Sequence, residues 1–289
     1  MSKTTNIPIP LHYWEGHKNF GDELSPYVVS KLTGKKVVYA DKFQRNKLVA
    51  IGSLLHRDLL TSESTIWGTG CIRPTILNLK VFPINKFLKT FYRTIRYGFN
   101  SKICAVRGPL TREALQKVGI NSPEIYGDPA ILLPLLYNPT HDPSINGNTI
   151  GLILHHSQEN LISYKDELEE RGIKIISIYR SGNIELEKFI DEITSCKCIY
   201  SSSLHGIITS QAYGIDTQWI IFKDVPIHKF YDFKFIDYFL GSNQTIQKPL
   251  TLNSFGIEDI STILRERPVK TNKFANREKL IDAFPTDLK

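Results

Sequence analysis

The sequence predicts an α/β protein made of two Rossmann-like domains facing each other across a cleft. Three observations predict it. Short apolar runs end in glycine-rich loops and alternate with helical segments, as buried parallel strands do. The alternation lapses over residues 138–149 (NPTHDPSINGNT), where no apolar period survives, and then restarts. The length of 289 residues suits two domains of ordinary size, at roughly 100–200 residues each. The boundaries that follow are 1–140 for an N-terminal domain, 148–267 for a C-terminal domain and 268–289 for a tail helix.

Each element has its own warrant. Residues 7–14 read as a strand, followed by the polar loop EGHKNFGDEL. Ser25-Pro26 reads as the start of a helix, serine as N-cap and proline in the first turn, running to Gly34. Residues 37–39, 48–51, 65–67 and 103–106 are short apolar strands, and 110–117 is a helix closed by Gly119. In the second half, 149–154 is a strand, 161–171 a helix ended by Gly172, and 173–178 a strand. Residues 184–195 are amphipathic and helical, 199–200 a strand tip, and SSSLHG leads into the helix IITSQAYG. Residues 218–222 form a further strand.

Composition narrows the class. Hydrophobic residues make up 41% and charged residues 22%, which excludes disorder, collagen-like repeats and coiled coil. Lys+Arg number 36 against 29 Asp+Glu, a net charge of +7, so an anionic partner is expected. Nucleic acid is not expected, because no recognition motif is present. No apolar run has the length of a signal peptide or a membrane span, so a cytoplasmic protein is expected. Cys71, Cys104, Cys196 and Cys198 read as reduced core residues, and no metal site is expected.

One stretch stands apart. No acidic residue occurs between Glu63 and Glu113, while Lys80, Lys86, Lys89, Arg93, Arg96 and Lys102 alternate with aromatic and aliphatic residues. Residues 85–97 read as a basic amphipathic helix. Two uses are open: peripheral contact with an anionic membrane at its inner face, or plain packing on the sheet with the lysines in water.

The strongest local signal is Ser201-Ser202-Ser203-Leu204-His205-Gly206, between a strand and a helix. Ligands of open α/β folds bind at that edge of the sheet. A helix amino end offers free N–H groups and partial positive charge to an anion, and serines and a glycine add donors and close approach. His205 beside a bound anion suits a general acid; the plainer reading is a capped helix with a histidine in a polar niche. Arg107 ends an apolar strand, where it suits a bidentate grip on phosphate or carboxylate, or a salt bridge. Asp128, between Gly127 and Pro129, is either a catalytic or orienting carboxylate or a turn former that caps a helix. Asn19, Gly21 and Asp22 lie in the first strand-to-helix loop, on the cleft edge. His155, at the end of the first strand of the second half, reads as a substrate contact.

Eight segments, in order, match a known pattern: NFGDELSPYVVSKLTG, IGSLLH, IWGTGCIRP, AVRGPLTREAL with YGDPAILLP, LILHHSQE, SSSLHGIITSQAYGI, KFIDYF and REKLIDAFP. The chain resembles the polysaccharide pyruvyl transferase family over most of its length; residues 75–100 carry none of these segments. The resemblance implies a glycosyltransferase-B type fold with the cleft as active site. It implies transfer of pyruvate from phosphoenolpyruvate onto two hydroxyls of one sugar, as a cyclic ketal, with no cofactor beyond that donor. The acceptor would be a polysaccharide or lipid-linked repeat unit, with the first domain on the acceptor side and the second holding the donor phosphate. The family's arginine in the AVRGP block falls on Arg107, and its histidine in the SLHG block on His205. Some members carry an arginine two places before that histidine, where this chain has Ser203. On this reading His205 is general acid or phosphate partner, Arg107 holds phosphate or carboxylate, and Asp128 orients His205 or takes a proton. Two other readings stay open: a nucleotide-sugar glycosyltransferase of the same fold, and a non-catalytic module docking through residues 80–102.

Overall fold

The computed structural model describes residues 7–16, 18–76, 100–225, 227, 229–253 and 255–288. The basic stretch read as a helix over 85–97 lies outside the described residues.

The first half contains β1 (Ile9–His12), α1 (Phe20–Thr33), β2 (Val37–Tyr39), β3 (Lys47–Val49), α2 (Arg57–Leu60), β4 (Ser64–Trp67), β5 (Lys102–Ala105) and α3 (Pro109–Gln116). Its five strands pair in the order β2-β1-β3-β4-β5, all parallel. The second half contains β6 (Ile150–Ile153), α4 (Lys165–Glu170), β7 (Ile173–Ile175), α5 (Asn183–Ser195), β8 (Cys198–Ser201), α6 (Leu204–Ala212), β9 (Thr217–Phe222), α7 (Tyr231–Gly241) and β10 (Leu250–Leu252). Its order is β10-β9-β8-β6-β7, again all parallel. The tail adds α8 (Ile257–Ser261) and α9 (Arg277–Asp282).

The two sheets therefore share one winding. In each, the first strand sits between the second and the third, so the direction of winding reverses beside it. That switch point lies between β1 and β3 in one sheet and between β6 and β8 in the other, and such points open a crevice at the carboxyl ends of the strands.

The halves are not separate cores. One apolar cluster runs from Leu11, Phe20 and Trp67 through Ile153, Phe189 and Ile207 to Phe235 and Leu280. The tail straps both: Trp67 donates its indole N–H to Leu280 O at 2.8 Å, and Arg277 donates to the carbonyls of Ile131 and Ala212.

Two elements differ from their sequence reading. α1 starts at Phe20 rather than after Ser25, because Asn19 is the N-cap and its side chain accepts from Asp22 N at 3.1 Å. Gly21 and Asp22 thus belong to the first turn of a helix and not to a loop. Pro26 sits inside that helix, and Ser25 is buried, its hydroxyl accepting from Ile51 N. The helix expected over 161–171 keeps only Lys165–Glu170, because Ile162 is extended and Glu159 is buried with its carboxylate bound to Ile178 N at 3.0 Å.

Candidate functional site

The carboxyl ends of both sheets line one cavity of about 700 Å³. The first sheet contributes His12–Gly16 after β1, with Asn19 and Asp22 at the start of α1, Tyr39–Lys42 after β2 except Ala40, and Gly52–His56 after β3. The second contributes His155 and His156 after β6, Ile178 after β7, and Ser203, Leu204 and His205 at the amino end of α6. Ile72, Arg73, Thr75 and Ile76 after β4 and Lys234 of α7 complete the wall.

His205 is placed by three neighbours. It is the second residue of α6, whose N-cap Ser203 makes no side-chain cap, so the amino end of that helix opens on the cavity. Its Nε2 faces Asp128 Oδ2 at 3.7 Å, and each of these two atoms lacks a hydrogen-bond partner among the described residues. Its Nδ1 lies over Gly21, where a Cβ would collide with the ring. Gly21 is therefore needed for close approach of helix to imidazole.

Asp128 is 0% exposed. Its Oδ1 accepts from Ala130 N at 3.1 Å and caps the 3-10 helix Pro129–Leu135. The helix-cap reading describes it, and its other oxygen faces His205. Asp128 is enclosed and does not line the cavity itself.

Asp22 accepts from Asn19 Nδ2 at 2.5 Å. Burial pushes its carboxyl up to about 6, against the opposing pull of His205, the Asn19 hydrogen bond and Lys234. Lys234 is partly buried, its Nζ 4.4 Å from the centre of the Tyr231 ring and 5.5 Å from that of Phe235. Burial pulls its ammonium down to about 7, the Arg107 guanidinium adds to the fall, and Asp22 opposes it. A carboxyl and an amine that both titrate near neutrality, on one cavity wall with an imidazole, mark a place for proton transfer.

Several sequence candidates lie elsewhere. Arg107 is 0% exposed and does not reach the cavity wall. Its Nε donates to Asp237 Oδ2 at 3.1 Å, and its terminal nitrogens donate to Ser53 Oγ and Cys71 O, each at 2.7 Å. With those groups taken, no bidentate face is left for a ligand. Ser53 does line the cavity, so Arg107 acts on it from behind. Ser201 and Ser202 also turn inward: Ser201 Oγ donates to Ile153 O and accepts from Ser203 N, and Ser202 Oγ donates to Gln158 Oε1 at 2.7 Å. They brace the turn that precedes α6. Gly206 faces Ser201 and Ile153, where a Cβ would not fit. His155 is on the wall, its Nδ1 2.9 Å from Ser157 Oγ.

The sequence reading gave Lys234 no role. Its signal was there: a lysine three residues after Tyr231 and four before Tyr238 lies on the apolar side of its helix.

Among the described residues, no three His, Cys, Asp or Glu side chains gather as metal ligands, and no helix is long and apolar enough to cross a membrane. Residues 81–219 match the family model described as polysaccharide pyruvyl transferase. The match holds the segments around Arg107, Asp128 and His205. It also reaches back over 81–100, where none of the quoted segments lies, and it leaves out Asn19, Asp22 and Lys234. An uncharacterized protein of Acanthamoeba polyphaga mimivirus is 27% identical over 277 residues, covering 88% of this chain and 84% of that relative.

Proposed function

From a polysaccharide pyruvyl transferase domain over residues 81–219, we propose that the protein moves pyruvate from phosphoenolpyruvate onto two hydroxyls of one sugar. The product is a cyclic ketal. The observation that carries this reading is His205: it stands at the open amino end of a helix, backed by a sealed carboxylate, in a cavity shared by both sheets. That cavity is the cleft of a glycosyltransferase-B type arrangement.

The amino end of α6 takes an anionic group of the donor on its free N–H groups. Nε2 of His205 is turned to Asp128, so Nδ1, at the edge of the ring beside Gly21, is the nitrogen that exchanges a proton with the donor on this reading. From there the imidazolium gives a proton to the methylene carbon of phosphoenolpyruvate. A sugar hydroxyl adds to C2 and its proton passes to Asp22, the basic carboxylate nearest to neutrality. The C2–O bond to phosphate then breaks and phosphate leaves. The second hydroxyl closes the ring, and its proton ends on the phosphate. Asp22 then returns its proton to His205, so over the cycle the methylene gains one hydrogen and the phosphate the other, and atoms and charge balance.

The acceptor sugar lies against the first sheet. Trp14 and Tyr39 are 54% and 41% exposed on that side of the cavity, and Tyr13 packs edge-on against Tyr39. Exposed aromatic faces offer a sugar ring an apolar surface beside the carboxylate of Asp41. A lipid-linked repeat unit would bring the protein to the inner membrane face, where residues 80–102 would dock; that segment lies largely outside the described residues.

Release of inorganic phosphate from phosphoenolpyruvate, with candidate sugar acceptors added one at a time, tests the reading. Acceptor-dependent release with one ketal formed per phosphate is expected. No release with any acceptor, together with cleavage of a nucleotide sugar, would overturn it.

A further inference from the structure

Lys234 sits oddly for a lysine. The helix that carries it is apolar, with Tyr231, Phe235, Tyr238 and Phe239 buried. A lysine so placed usually pairs with a carboxylate. Among the described residues, Lys234 has no carboxylate within salt-bridge distance. The rings of Tyr231 and Phe235 lie under its ammonium instead. Aromatic faces hold a cation without using its N–H donors. Those donors are left for whatever enters the cavity that Lys234 lines.

The nearby cation is the opposite case. Arg107 is enclosed, and its nitrogens are bound to Asp237, Ser53 and Cys71. An anion entering the cavity on the side of the second sheet thus meets two positive features, the amino end of α6 and the ammonium of Lys234, while Lys42 and Arg73 lie on the wall that the first sheet supplies. A donor bearing both a phosphate and a carboxylate needs two.

We propose that Lys234, and not Arg107, is the side-chain cation that binds the anionic donor, one anionic group resting on the amino end of α6 and the other on Lys234. This rests on the donor being phosphoenolpyruvate. It also supplies the charge that Ser203 does not: the cation has moved from the turn before α6 to helix α7.

A consequence follows for protons. The groups around Lys234 are Asp22 from α1, Arg107 with its partner Asp237, and the imidazoles of His205 and His155 on the same wall. Burial and Arg107 hold the amine to about 7, so at pH 8 it is mostly neutral. An arriving anion restores the charge, and binding then takes up a proton from solution.

Titration calorimetry at pH 8, in two buffers of different ionisation heat, reads both effects. Phosphoenolpyruvate and, separately, inorganic phosphate are the probes, with the wild type, Lys234→Met, Lys234→Arg and the exposed-site control Lys248→Met. Loss of a charged hydrogen bond predicts binding weaker by about tenfold or more in Lys234→Met. Lys234→Arg is expected to bind but to take up less proton, and Lys248→Met to match the wild type. Binding within twofold of wild type by a folded Lys234→Met would overturn the proposal. Where that variant fails to fold, equal proton uptake by wild type and Lys234→Arg overturns it. Phosphate binding that depends on Lys234, without binding of phosphoenolpyruvate, would support this cation while overturning the donor.

Discussion

The amino ends of α3 and α6 invite comparison. Each helix follows a parallel strand through a short turn, β5 into α3 and β8 into α6. Each begins without a side-chain cap of its own, from Gly108 in one and Ser203 in the other. The end of α3 is nevertheless filled. Asp237 of α7 accepts from Thr111 N at 3.0 Å and from Thr111 Oγ1 at 2.7 Å, while Arg107 pairs with the same carboxylate. The end of α6 faces the cavity, and among the described residues no carboxylate caps it. The same local device serves structure where the protein supplies the anion, and on the proposed reading it serves ligand binding where the protein does not.

Breaking the open end should have the largest effect. On the proposed reading His205→Ala removes the proton donor, and the variant is expected to fold. A positioned acid typically contributes about 10²–10⁴ in rate, so phosphate release should fall by that much with an unchanged melting temperature. A folded variant that keeps more than a tenth of the rate would return His205 to the role of a packed polar residue.

Breaking the filled end should cost stability instead. Asp237→Ala leaves the guanidinium of Arg107 buried and unpaired, a loss of about 3–5 kcal/mol. With Asp237 gone, α3 and Arg107 form an open anion site, so sulfate should raise the melting temperature of the variant more than that of the wild type. Equal sulfate response in both would mean that the carboxylate does not stand in for an anion.

How much of this could be read in the sequence follows from the same contrast. The strands were legible because β-branched runs such as STIW and TQWIIF stop at glycine or polar turns. The open end of α6 was legible too, since a serine-rich turn between strand and helix is a local pattern. The fate of Arg107 was not, because its partner lies 130 residues further on, in a helix from the other half. Ser201 and Ser202 misled for a related reason. A serine's side chain serves the backbone as readily as a ligand, and the choice depends on Ile153 and Gln158. The start of α1 was missed although Asn19 precedes Asp22 by three residues; Ser25-Pro26 offered a competing and equally local start.

A single substitution can make α6 resemble α3. Ser203→Asp places a carboxylate at the open end. Such a charge at a helix amino end adds roughly 0.3–1 kcal/mol of stability. It should also exclude the donor by occupying its place, so the KM for phosphoenolpyruvate should rise by about tenfold or more. A variant that is stabilised but binds the donor unchanged would put the anion elsewhere in the cavity.

The smallest effect concerns Asp22, which faces the open end from α1. An unfolded aspartate loses its proton near 3.9. In the fold, burial keeps the proton on Asp22 up to about 6. Between those values the native state binds more protons than the unfolded one, so this group's contribution is present at low pH and is lost as pH rises through about 6. Asp22→Asn removes that slope. One pKa unit corresponds to about 1.4 kcal/mol, and partial exposure reduces the yield, so the variant should gain about 1–2 kcal/mol on the wild type between pH 4 and pH 7. Denaturant melts at those two pH values measure it. The same substitution should flatten the rise of phosphate release through pH 6, because an amide cannot accept the hydroxyl proton. Parallel pH profiles for the two proteins, in stability and in rate, would remove Asp22 from the chemistry and leave it as the partner of Asn19 at the start of α1.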